Sequence, residues 1–259
     1  METLLNRIIA MKKAGLEKEK RKTPIEVFMK AIEKRKKERS RFKQAIAGKG
    51  EIKLIAEIKR KSPTAGLLRD DFDIRRIAGS YSKYADAVSV VTERHFFGGD
   101  VEFIKDVKKE SGIPLLRKDF MFDIYQIYES AYFGADAVLL IASILEKEDI
   151  KNLIKTSIGL GMDVVAEVHN KKELNMIMEF DAIIGINNRN LEDFRIDFET
   201  TKKLAKMIPK ERVVISESGI KSRGDIEELK GMVDAVLVGS CIMKSEDIEE
   251  KLRELKGHC

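Results

Sequence analysis

The chain has 259 residues, 43% hydrophobic and 36% charged; that length suits a single α/β barrel, and that apolar share supports a sizeable core and excludes a globally disordered chain. No apolar run approaches the roughly 18 residues needed to span a bilayer, and no secretory signal pattern follows the first residues, so a cytoplasmic protein without a membrane partner is expected. The net charge of +5 is unevenly placed: residues 1–50 hold 16 basic side chains against 6 glutamates, and the remaining 209 hold 33 basic against 38 acidic.

The basic excess therefore belongs to an N-terminal segment. A nucleic-acid arm would carry aromatics interleaved for base stacking, and these are lacking, so a solvated helix face is favoured and no nucleic-acid partner is expected. Abundant Lys and Glu with only two Gln fit a heat-adapted organism. Leu4, Leu5, Ile8 and Ile9 recur at helical spacing and predict a first helix. Thr23-Pro24-Ile25-Glu26 announces a second, with Thr23 as cap, Pro24 in the first turn and Glu26 completing a capping box. It is expected to run to about Ala45, before Gly48-Lys49-Gly50. Residues 1–50 are thus read as a helical extension packed on a domain spanning 51–259.

Beyond residue 50 the chain repeats itself. Ala85-Asp86-Ala87-Val88, Ala135-Asp136-Ala137-Val138, Asp181-Ala182-Ile183-Ile184 and Asp234-Ala235-Val236-Leu237 each open a short apolar, β-branched run. Such runs read as strands buried on both faces. Between them lie four more, at Leu54–Ile58, Pro114–Lys118, Val164–Val168 and Val213–Glu217. Eight strands alternating with amphipathic stretches predict a parallel sheet closed into a (β/α)8 TIM barrel. The alternative, an open doubly wound sheet, usually shows a Gly-rich phosphate turn after its first strand, and Lys59-Arg60-Lys61-Ser62-Pro63 is not one.

Reactive groups in such barrels sit where strands end. These ends are polar for runs so apolar: Glu57 and Lys59, Lys118-Asp119, Glu167, Asn187-Asn188-Arg189, Glu217-Ser218-Gly219 and Gly239-Ser240. A charge in a buried strand is costly unless it is paired or faces a polar cavity. Lysines and carboxylates converging from four odd-numbered strands favour an active site over a structural ion-pair network. After the seventh and eighth strands, the backbone at Ser218-Gly219 and Gly239-Ser240 suits an anion cradle, to which Lys59 can add charge; ordinary loop glycines are the plainer reading.

Taken in order, Ala56-Glu57-Ile58-Lys59-Arg60-Lys61-Ser62-Pro63, Thr92-Glu93 with Phe96-Phe97-Gly98-Gly99, Leu116-Arg117-Lys118-Asp119-Phe120, Ala166-Glu167-Val168-His169, Gly185-Ile186-Asn187-Asn188-Arg189-Asn190-Leu191 and Ser216-Glu217-Ser218-Gly219-Ile220 resemble the motifs of the indole-3-glycerol-phosphate synthases. The resemblance covers the whole chain. It implies a carboxy-lyase of tryptophan biosynthesis that closes an indole ring on 1-(2-carboxyphenylamino)-1-deoxyribulose 5-phosphate, releasing carbon dioxide and water, with no cofactor and no metal. It implies Lys118 as general acid and Glu167 as base, with Glu57 orienting the lysines and Asn187 and Glu217 near the reacting centre. Lys59 is either an anion contact or a second acid. Arg189 is a candidate for the substrate carboxylate, Phe96, Phe120, Leu139 and Leu191 for its aromatic ring, and Ser62, Ser218, Gly219, Gly239 and Ser240 for its phosphate end.

Cys241, Cys259 and the three histidines lack metal-ligand spacing. His95, His169 and His258 have no sequence partners that suggest catalysis, and a monomer is expected. Two rival readings stand beside this one. Phosphoribosylanthranilate isomerase would be expected to use a Cys/Asp pair, and no cysteine ends the first strand. A noncatalytic ligand-binding barrel would bind a sugar phosphate without turnover.

Overall fold

The computed structural model describes residues 3–33, 40–48, 50–190 and 195–258. Three helices come first: α1 (Leu4–Lys22), α2 (Ile25–Glu33) and α3 (Phe42–Ile46). Thr3 caps α1 by accepting the Asn6 amide at 3.2 Å. The second helix is shorter than its sequence pattern suggests. Thr23 closes α1, its amide bonded to Glu19 O at 2.8 Å, rather than opening α2. Ser40 and Arg41 are not helical, and Ser40 Oγ instead accepts the Phe42 amide at 3.0 Å at the start of α3. Residues 34–39, which the sequence assigns to that same helix, lie outside the described residues.

Eight parallel strands then close into one barrel: β1 (Lys53–Ile58), β2 (Ala87–Val91), β3 (Leu115–Lys118), β4 (Ala137–Ile141), β5 (Asp163–Val168), β6 (Ile183–Asn187), β7 (Val214–Glu217) and β8 (Ala235–Val238). Each pairs with its chain neighbours, and β8 returns to β1 with Ala235 opposite Lys53. Closure removes the open-sheet alternative. The helices α4 (Ile74–Tyr84), α5 (Phe103–Ser111), α6 (Ile124–Phe133), α7 (Lys147–Gly159), α8 (Lys171–Ile177), α9 (Glu199–Ala205) and α10 (Arg223–Glu227) follow the first seven strands in turn. A short α11 (Ser240–Lys244) precedes the last, α12 (Ile248–Lys256). Local chemistry punctuates them. Asp73, Asp123, Asn170 and Asp247 accept first-turn amides, and Gly112, Gly134 and Gly257 end helices in the left-handed region.

The repeated aspartates have a physical reason. Asp86 accepts the Leu54 amide at 2.8 Å, Asp136 the Leu115 amide at 2.8 Å and Asp234 the Val214 amide at 2.9 Å. Each sits just before an even-numbered strand and satisfies an amide at the start of the odd-numbered strand before it. The repeat therefore stitches the N-terminal rim of the barrel, the face that carries stability rather than chemistry. Asp181 departs from this pattern and reaches Lys43 Nζ at 3.2 Å.

Two apolar layers result. Between sheet and helices runs the larger cluster, including Ile58, Val88, Leu140 and Ile184. Inside the barrel, Ile55, Leu116, Val165 and Ile215 meet Ala87, Ala137, Leu139 and Leu237. Phe42 and Ile46 of α3 join this inner cluster, so α3 stoppers the barrel from its N-terminal end. At its other face the extension packs Phe28 of α2 against Tyr125 and Tyr132 of α6, with ring centroids 5.3 and 5.0 Å apart. Among the described residues, no helix is long and apolar enough to cross a membrane.

Candidate active site

Side chains alternate across a strand, so the residue two positions beyond an inward-facing one also faces inward. Two positions beyond Ile55, Leu116, Val165 and Ile215 stand Glu57, Lys118, Glu167 and Glu217. The barrel's apolar interior thus ends, at the C-terminal mouth, in a layer of four charged groups from alternate strands. Above them opens a cavity of about 400 Å³, whose wall includes all four together with Lys59 and Asn187. Lys118 Nζ lies 2.9 Å from Glu167 Oε2 and 2.9 Å from Glu217 Oε2. Lys59 Nζ pairs with Glu57 Oε1 at 2.5 Å, and Asn187 Nδ2 donates to Glu167 Oε1 at 3.0 Å.

Room for the carboxylates comes from glycines on even-numbered strands. A Cβ at Gly185 on β6 would lie 2.5 Å from Glu217 Oε1, and one at Gly239, just after β8, would strike Glu57 Oε1. The local chemistry is strongly perturbed. Burial opposes the charge on Lys118, but the carboxylates of Glu167, Glu217 and Glu57 outweigh it and hold the ammonium's pKa above its usual value. Burial likewise opposes ionisation of Glu167, and Lys118 with its hydrogen-bond donors overcomes it, so this carboxyl lies below its ordinary range. Glu217 goes the other way: burial and the neighbouring Glu167 charge outweigh Lys118 and push it up to about 7. Environments that separate two carboxylates in this manner prepare them for different protonation roles.

Ser218, with φ of 67°, and Gly219, with φ of 96°, both adopt the left-handed region after β7. Successive turns of this kind aim backbone N–H groups into a concavity that suits an anion. Asn188 Nδ2 fixes the loop by donating to Ser218 O at 3.1 Å, and its Oδ1 accepts from Thr201 Oγ1 at 2.7 Å. Ser62, Ser218, Gly219, Gly239 and Ser240 all line the cavity, as does Arg189.

The apolar wall is partly as expected from sequence. Phe120 and Leu139 line it, but so does Phe97, not Phe96. Glu93 accepts the amides of His95, Phe96 and Phe97 at 2.9, 2.7 and 3.0 Å, curling the loop so that Phe97 meets Phe120 at 6.2 Å between centroids. Leu191 lies outside the described residues. Sequence reasoning missed several contributors. Leu5 and Ile8 of α1 reach the cavity, and Lys12 of the same helix pairs with buried Asp119 at 2.5 Å. Lys221 and Lys244 also line its rim. His169, expected to have no informative partner, lies between two carboxylates, with Nε2 3.3 Å from Glu167 Oε1 and Nδ1 3.1 Å from Glu173 Oε2. The His169-x-x-x-Glu173 spacing was a signal available in the sequence.

Comparison with known proteins places this geometry. The family model described as indole-3-glycerol phosphate synthase matches residues 5–255. A protein of that name from Alkaliphilus metalliredigens is 46% identical over 257 residues, covering 98% of both chains. Another, from Acetivibrio thermocellus, is 43% identical over 258 residues, covering 98% of this chain and 99% of its own. Among solved structures, a chain of the tryptophan synthase complex of Pyrococcus furiosus superposes with a TM-score of 0.61 at 16% identity, covering 80% of this chain and 99% of that one. The 3-hexulose-6-phosphate synthase of Salmonella typhimurium gives 0.61 at 18%, covering 80% of this chain and 97% of its own. At such identities these two likenesses concern the fold alone.

Proposed function

The chain belongs to the indole-3-glycerol phosphate synthase family, and from that premise we propose how its cavity divides the work of the reaction. The enzyme is a carboxy-lyase of tryptophan biosynthesis: it converts 1-(2-carboxyphenylamino)-1-deoxyribulose 5-phosphate to indole-3-glycerol phosphate, carbon dioxide and water. A ring carbon attacks the sugar ketone, the carboxylate leaves as carbon dioxide, and the former ketone oxygen departs as water. The chemistry asks for a cation or acid at that oxygen, a base for the dehydration, and a hold on two anionic ends.

The observation that carries the reading is Lys118, 2.9 Å from both Glu167 and Glu217 at the cavity floor. Its neighbours keep it charged, so it meets the developing alkoxide as an ammonium. The alkoxide is far more basic than an amine and takes the proton. That transfer removes the positive charge which had suppressed the basicity of Glu167. The first step thereby prepares Glu167 to accept a proton in the second. Glu217 holds Lys118 in place, and Glu57 does the same for Lys59, which serves as an anion contact or second acid. The Ser218-Gly219 and Gly239-Ser240 backbone takes the phosphate, Arg189 the substrate carboxylate, and Phe97, Phe120, Leu139 and Ile8 the aromatic ring. A monomer acting in the cytoplasm on a small phosphorylated substrate, without nucleic-acid or membrane partners, completes the proposal.

Rapid-quench analysis of Lys118→Ala and Glu167→Gln tests the division. Positioned acid–base groups contribute roughly 10²–10⁴-fold, so both losses are large. Lys118→Ala is expected to leave unreacted substrate bound, and Glu167→Gln to accumulate a ring-closed intermediate. Ring closure at the normal rate in Lys118→Ala would transfer the acid's role to Lys59. Product is read directly by indole emission, because the chain contains no Trp.

A further inference from the structure

Glu167 receives Lys118 on Oε2 and Asn187 on Oε1. A third group faces it. His169 follows Glu167 by two positions at the end of β5, and its side chain is only 12% exposed. Its Nδ1 lies 3.1 Å from Glu173 Oε2 of α8, and the same oxygen accepts the His169 backbone amide at 2.8 Å. Glu173 is itself held by Asn170, whose Nδ2 donates to its Oε1 at 2.6 Å. The ring is thus clamped on one side and aimed by the other nitrogen at Glu167. Nε2 lies 3.3 Å from Glu167 Oε1, an ion-pair distance at an angle short of hydrogen-bond alignment, and no other acceptor satisfies this buried nitrogen among the described residues.

Both carboxylates are acceptors only. A neutral imidazole donates through one nitrogen and would turn the lone pair of the other toward a negative oxygen; only the imidazolium donates to both. The surrounding charges agree. Glu167 on β5 and Glu173 on α8 face the ring; Glu167 in turn holds Lys118 of β3 and neutral Asn187 of β6, and Glu217 of β7 meets Lys118. Burial opposes a charged ring, but the two carboxylates outweigh it and push the imidazole up to about 9.

We propose that His169, held as an imidazolium between Glu173 and Glu167, is a positioning residue for the dehydration base. It pins Oε1 of Glu167, together with Asn187, so that Oε2 stays turned toward Lys118 and the substrate. This rests on the reading of Glu167 as the base. The sign of the pH effect follows: the clamp is complete at neutral pH and is lost as pH rises through the folded-state value of His169.

The test combines ring titration with kinetics on the full chain. In ¹⁵N-histidine-labelled enzyme, with the signal assigned through His169→Gln, the His169 ring is expected to be cationic at neutral pH and to titrate near 9. Glu173→Gln is expected to lower that titration, and the basic limb of the kcat profile with it, by about one pH unit or more. His169→Phe is expected to lower kcat roughly 10- to 100-fold while KM moves by less than about threefold. His169→Gln, which returns an N–H near the Nε2 position, is expected to recover part of the loss. A ring neutral at pH 7 in the native enzyme overturns the proposal. So does a folded His169→Phe with native kcat while Glu167→Gln is impaired. If Glu167→Gln is itself fully active, the base assignment fails instead. Should His169→Phe not fold, the ring titration and the pH limb of Glu173→Gln decide.

Discussion

Replacing Gly185 by Ala tests whether the space beneath Glu217 matters to the chemistry. Gly185 has no left-handed backbone, so Ala fits its conformation, and the added methyl alone is the perturbation. That Cβ would lie 2.5 Å from Glu217 Oε1 and 3.1 Å from Val165 Cγ1, whereas ordinary contact begins at 3.4 Å. The carboxylate must therefore retreat by roughly 0.9 Å, the difference of those two distances, and it cannot do so without altering its 2.9 Å bond to Lys118. A misplacement of about 1 Å at a reacting group costs on the order of 10²-fold in rate. Overpacking costs about 1–3 kcal/mol, and Ala in place of Gly returns about 0.5–1 kcal/mol. The net is about 1 kcal/mol, or a fall in Tm of about 2–4 °C for a domain of this size. Steady-state kinetics and a thermal melt measure the two effects. A double-mutant cycle assigns them, because with Glu217→Ala already in place the new methyl meets no carboxylate and most of its penalty should vanish, leaving only the 3.1 Å approach to Val165 Cγ1. Native kcat in Gly185→Ala, or an equal penalty in both backgrounds, would refute the reasoning.

Three further outcomes are expected. Inorganic phosphate should compete with substrate, and a dephosphorylated substrate should lose most of its affinity; equal binding of the two would remove the cradle at Ser218-Gly219. Lys12→Met should raise KM more than it lowers kcat and speed amide exchange in α1, since buried Asp119 keeps Arg117 and Thr92 as partners but loses its link to that helix. Glu217→Gln should abolish an ionisation near 7 in the kcat/KM profile. The same raised carboxyl stabilises the fold most below about pH 4.5, and that contribution fades as pH rises through about 7; a Gln variant whose stability fell over this range as much as the native enzyme's would contradict the assignment.

The barrel was readable because each strand is buried on both faces and so appears as an unbroken apolar run. The inward layer of Glu57, Lys118, Glu167 and Glu217 was readable because a charge ending such a run must be paired or open onto a polar cavity. What escaped depends on the third dimension. Adjacent Phe96 and Phe97 cannot be told apart until Glu93 curls their loop. Leu5 and Ile8 look like any apolar helix face, and only docking over the mouth turns them into cavity wall. The helix expected to reach Ala45 is not continuous to that point: Ser40 and Arg41 are not helical, and Ser40 satisfies the Phe42 amide locally, a competition that helical periodicity does not register. The aspartate repeat was visible as a repeated word, but its meaning lies in amides one strand away.

The stopper formed by α3 has a consequence for how the protein comes into being. Phe42 and Ile46 are made near the beginning of synthesis, yet the inner core they join also includes Ala235 and Leu237 near the end. The Gly48 amide bonds the carboxylate of Asp234 at 3.3 Å, so this junction too waits for the last strand. On a ribosome adding about 5–20 residues per second, two large apolar side chains remain without their final seat for on the order of 10 to 40 s. Closure of the ring and seating of the stopper then become a single late event.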